Sequence, residues 1–183
     1  MLKYLQFCIG GVEQMDLKLY GAAEQKKLAR YPARIMEAQK FQETIPKIGD
    51  LNLAQTADME ARMKRFLKEL DFYKVVMRAA ISRYKSIVEE ANADCDKLEQ
   101  ITIDAPKGVK EDRKFSLKTS IVQTRQQVLF VEQQCKSLEE QIANVNTAEA
   151  AIRAALTQNN LANLVSLLAD LKLRDTEIRN FLK

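Results

Sequence analysis

The sequence predicts an all-α protein, an elongated helical bundle built on a long antiparallel coiled-coil hairpin, and three observations lead there. The first is an apolar stripe that steps by three and four residues in alternation: Thr56, Met59, Met63, Phe66, Leu70, Tyr73, Met77, Ala80, Tyr84, Ile87, Ala91, Asp94 and Leu98. The second is a matching stripe at Leu117, Ile121, Thr124, Val128, Val131, Cys135, Leu138, Ile142, Val145, Glu149, Ile152 and Leu156. Such a spacing holds one seam against a partner turn after turn, which is the pattern of coiled-coil helices. The third is the scarcity of breakers, five Gly and three Pro in 183 residues, in a chain rich in good helix formers.

Residues 1–52 read as an N-terminal helical segment with a kink near Pro32, because that ring removes an amide donor and restricts Tyr31 before it. Within it Leu5, Cys8, Val12, Met15, Leu19 and Ala22 keep the three-four spacing, so the first residues read as helix rather than as a secretory signal. Pro46 to Asn52 gathers Pro, Gly49 and Asp50 into a connector. Residues 53–157 form the hairpin, a helix from about Leu53 to Gln100 and another from about Glu111 to Thr157. The turn between them at 101–112 is marked by Pro106 and Gly108. Each helix should be on the order of 70 Å long at ~1.5 Å per residue. After Asn159 and Asn160, residues 158–183 form a last helix with the stripe Leu161, Leu164, Leu168, Leu171, Ile178 and Leu182.

A fold-back near Pro106 pairs core with core, setting Leu70 against Ile142, Phe66 against Val145, Tyr73 against Leu138, Met77 against Cys135 and Met59 against Ile152. It also sets the basic run from Arg62 to Lys85 against Glu132, Glu139, Glu140 and Glu149. The acidic block Glu89, Glu90, Asp94, Asp96 and Glu99 then faces Lys107, Lys110, Arg113, Lys114 and Lys118. Both terminal segments leave the hairpin at the end away from the turn, which predicts a bundled base and a projecting two-helix arm. Asp94 and Asp175 interrupt their stripes; Cys95 can fill the first place, and fraying explains the second.

The chemistry is sparse. No histidine is present, so a Ser-His-Asp or Cys-His site and the commonest zinc ligand are excluded within the chain. Cys8, Cys95 and Cys135 lie too far apart for a zinc cluster and suit a cytoplasmic or other reducing intracellular compartment. No phosphate-cradling glycine loop occurs, and no apolar run approaches the roughly 20 residues needed to span a bilayer. No cofactor, metal or small-molecule substrate is expected, and the reading is not an enzyme.

The stripes are wider than a two-stranded coil can use. Leu67, Val76, Ile81 and Val88 flank the first seam, and Leu129 and Phe130 flank the second, so further helices must cover them. These six are the candidate partner interface of a non-enzymatic structural, scaffold or adaptor subunit, acting by helix-helix contacts with itself or with other helical proteins in an oligomer. The alternative function is peripheral binding of anionic membrane or nucleic acid. It would use Lys107, Lys110, Arg113 and Lys114 at the turn, with the basic helix face, although the net charge of only +4 gives it little general support.

Overall fold

A computed structural model describes residues 17–48, 59–158 and 160–181; the expectations for residues 1–16, for Gly49 to Asp58 and for Leu182 lie outside the described residues. The described residues form an all-α bundle of five helices: α1 Ala22–Leu28, α2 Tyr31–Gln42, α3 Met59–Ile103, α4 Glu111–Thr157 and α5 Leu161–Phe181. Pro32 stands in the first turn of α2, where a missing amide costs nothing, so the kink becomes a break between two helices at Ala29 and Arg30. Between α3 and α4 the amides of Gly108 and Val109 both donate to the carbonyl of Pro106 (2.9 and 3.1 Å). Glu111 and Asp112 then open α4, where acidic side chains complement the helix dipole. At the start of α5 the side-chain oxygen of Asn160 accepts from the amide of Asn163 at 3.1 Å, capping the helix.

α3 and α4 pack most extensively on each other. Their shared core holds Met63, Phe66, Leu70, Tyr73, Met77, Ala80, Tyr84, Ile87, Ala91 and Leu98 from one stripe. From the other it takes Leu117, Ile121, Val128, Val131, Cys135, Leu138, Val145 and Ile152, with Ile142 and Leu156 partly buried beside them. Polar contacts along the pair run in opposite chain directions. Arg125 meets Asp96 and Glu99 near the turn, Lys85 meets Glu139, and Lys74 meets Glu149 farthest from it.

The charge partners lie further along α4 than a fold-back at Pro106 implies. Lys85 reaches Glu139 at 2.6 Å, whereas the expected register places it beside residues 126–127. A shift of about twelve residues, roughly 18 Å at ~1.5 Å per residue, is more than the lean of a lysine and a glutamate toward their own N-termini can span, so the two helices are themselves paired further along α4 than that fold-back implies. Compact core neighbours are displaced less, with Gln141 Nε2 donating to the Tyr73 hydroxyl at 3.4 Å, one turn from the expected Leu138.

The projecting two-helix arm is not what the chain forms. α1 and α2 pack on α3 and α4 from the turn downward, and α5 packs on α4 from the other end upward. Tyr20 donates to the Ile101 carbonyl (2.8 Å), Tyr31 to Asp94 (2.7 Å) and Tyr84 to Gln42 (2.6 Å), which traces the descent of the first strand of the bundle. Arg174 donates to Asn144 at 3.1 Å along the ascent of α5. The third place beside the pair is thus filled twice, by α1 and α2 in one half and by α5 in the other. At ~1.5 Å per residue two stretches of about 30 Å together cover the roughly 70 Å length, which neither could cover alone.

Two glycines fit the first strand to the turn. Gly21 precedes α1 with φ of 68°, a left-handed conformation, and a Cβ there would lie 3.1 Å from Leu117 Cδ1. At Gly108 a Cβ would stand 2.6 Å from Leu17 Cδ1, so that leucine lies directly on the glycine.

Candidate functional site

The segment after α2 and the end of α5 meet on α3, and the meeting point is polar. Asp175 of α5 is buried, 6% exposed, and its carboxylate accepts from the Tyr73 hydroxyl (2.7 Å), from Arg179 Nε (2.9 Å) and from the Ile48 amide (3.4 Å). Arg179 also donates through Nη2 to the carbonyls of Ile45 and Pro46. One carboxylate therefore ties α3, α5 and the segment after α2 together. Asp175 is not a product of fraying, as the sequence reading held, but a buried acceptor with charged and neutral donors around it. Burial and the hydrogen bond to Asp175 push the Tyr73 phenol far above its ordinary range. A cavity of about 680 Å³ opens beside this clamp, with Ile45, Ile48, Met77, Leu138 and Ile178 among its apolar walls.

The acidic block of α3 is also partnered differently from the expectation. Glu90 takes a two-pronged contact from Arg34 (2.7 and 2.9 Å), and Asp94 takes Arg30 (3.1 Å) and Tyr31. The Arg34 guanidinium holds the Glu90 carboxyl down at about 2. These contacts dock α2 on α3. The cations near the turn do not face the block, because α2 already occupies that side.

Of the four cations nominated at the turn, Lys107 and Lys110 are exposed. Arg113 turns inward, donating to the Tyr20 carbonyl (2.9 Å) and to Gln25 Oε1 (2.7 Å), and so fastens α1 to α4. Lys114 pairs with Glu111 at 2.8 Å. The nominated apolar flank divides as well. Leu67 and Ile81 are buried in the chain's own core and Val76 and Val88 pack partly against it, so the first two offer no surface to a partner. Leu129 and Phe130 are exposed, Phe130 on a groove shared with Pro32 and Ile35 of α2.

Leu129 belongs to a larger feature that sequence reasoning missed. Phe115, Val122 and Leu129 stand at seven-residue intervals on α4 and are 72%, 54% and 59% exposed. They share one outward face, turned well away from the buried seam, with Thr119 and Gln126 beside them. The signal was legible as a second heptad series, but the stronger core stripe masked it. On α3, Phe72 and Val75 are likewise exposed, on one face with Arg65 and Lys68.

Among the described residues, no cluster of Cys, Asp and Glu side chains could hold a metal ion, and no helix is long and apolar enough to cross a membrane. Cys95 and Cys135 are free thiols buried in the core, and burial raises both. Comparison with protein-family models, with curated proteins and with solved structures finds no match.

Proposed function

We propose that the chain is a non-enzymatic structural or adaptor subunit, a scaffold that joins other helices through the outer face of α4. The observation that carries this reading is the exposed series Phe115, Val122 and Leu129. Three large apolar side chains at heptad spacing on a rigid helix offer a seam to a further helix in coiled-coil fashion, and burying each fully is worth roughly 1.5–3 kcal/mol. The face is also self-complementary. A two-fold antiparallel pairing centred on Val122 sets Phe115 of one copy against Leu129 of the other, the form that closed dimers use. Polar Thr119 and Gln126 in the alternate places favour an association that forms and separates over a permanent one.

The internal engagement of Arg113 and Lys114 weighs against the turn as a phosphate-binding surface. Salt dependence separates the two readings, since phosphate contacts weaken steeply with salt and an apolar helical interface does not. Sedimentation of the chain across a concentration series, at low and high salt, is the test. Association that persists at high salt supports the reading, and a chain that stays monomeric throughout contradicts its self-pairing form.

A further inference from the structure

We propose that the groove between residues 46–48 and α3 is a docking site for an acidic amphipathic helix of another protein, a surface distinct from the α4 face and independent of it. The groove holds about 380 Å³ and is walled by Pro46, Ile48, Phe66, Leu70, Phe72 and Tyr73. Its rim carries Lys47, Arg65 and Lys68 against Glu69 alone, all exposed. No ion pair engages these three cations among the described residues, whereas Lys74 and Lys85 on the same helix are turned to Glu149 and Glu139. An apolar slot under a positive rim is complementary to an apolar anchor flanked by carboxylates.

The backbone decides what form the partner takes. An extended peptide would bind by pairing its main chain with residues 46–48, but Pro46 has no amide hydrogen and the Ile48 amide already donates to Asp175. Strand addition therefore finds no donors at either position. A helix brings its own backbone bonds satisfied and needs only side-chain anchors, as in recognition of helices by grooves. Arg65, Lys68, Phe72 and Val75 follow three-four spacing on α3, so they lie along one line that a second helix can track. The concavity favours a side-chain anchor over a lipid surface, which would meet Phe72 but leave the slot unfilled.

Fluorescence anisotropy of a labelled synthetic helix, with leucines at three-four spacing and glutamates elsewhere, tests this on the full chain. The expected result is binding that weakens with salt and falls roughly tenfold or more in a Lys47→Glu, Arg65→Glu, Lys68→Glu variant. Phe72→Ser should also weaken it; Phe72 is 61% exposed, and an unchanged thermal melt would show that the fold is kept. A peptide of the same composition with its leucines scattered should bind poorly. Equal binding of the scattered peptide would reduce the contact to charge alone and overturn the proposal. So would unchanged binding in both variants, or binding to phosphatidylserine vesicles with none to the peptide.

Discussion

Asp175 interrupts the apolar stripe of α5 at the point where three segments need an acceptor. Replacing it by Ala strands the buried Tyr73 hydroxyl and the Arg179 guanidinium, and a buried donor left without a partner costs about 1–3 kcal/mol. Asp175→Ala should therefore lower the denaturation midpoint, and adding Tyr73→Phe to it should cost little more, because both changes remove the same bond. Titratable groups give the fold two limits in pH. Glu90 is held at about 2, below the 4.5 of an unperturbed glutamate, so its contribution is complete above about 4.5 and is lost as pH falls toward 2. Arg34→Ala should flatten the acid limb of a stability profile, though only modestly, since the pair is partly exposed and screened by salt. Tyr73 and Tyr84 have phenols raised by burial, so their contribution is intact below the unfolded value near 10 and declines as pH rises beyond it. Tyr84→Phe should reduce that alkaline decline, read from melting temperature against pH. None of these residues was legible as a clamp, because a polar residue in an apolar stripe reads locally as a defect; its partner lies on another helix.

Element boundaries were legible because breakers are local. Pro32, Pro106 with Gly108, and Asn160 mark the helix ends that the structure contains, and α4 spans the expected residues. What each helix packs against was not legible. A wide stripe says that a face must be covered, yet whether α1 and α2 run back to the turn depends on contacts such as Arg113 with Tyr20, about ninety residues apart in the chain. The basic run does meet Glu139 and Glu149, as the charge pattern implies, but the residue-by-residue register depends on how the turn folds, which the position of Pro106 alone does not fix. Gly21→Ala imposes a Cβ at φ of 68° and 3.1 Å from Leu117, so it should cost about 1–2 kcal/mol. Amide exchange should localise that cost to α1 and the turn, leaving α5 unchanged, because α5 packs on the other half of the bundle.

The described residues form a rod with a two-helix spine and a third place shared by α1 and α2 in one half and α5 in the other. This division buries Leu67 and Ile81 within the chain and leaves outward-facing residues to meet anything else. Two of the six candidate interface residues are therefore turned into the chain's own core, because a flank beside the seam is the first surface a third helix of the same chain covers. Leu129 stays exposed on the outer side of α4, and Phe115 and Val122 share that exposure. In the self-pairing form proposed above, this face joins the chain to a second copy of itself. Light scattering on the parent chain and on a Phe115→Ser, Val122→Ser, Leu129→Ser variant at high salt tests it most directly. Self-pairing requires a parent mass that is a multiple of 20.9 kDa and a helical variant at the single-chain mass. A variant that keeps the parent's multiple, or a parent that is already a single chain at every concentration, would contradict it.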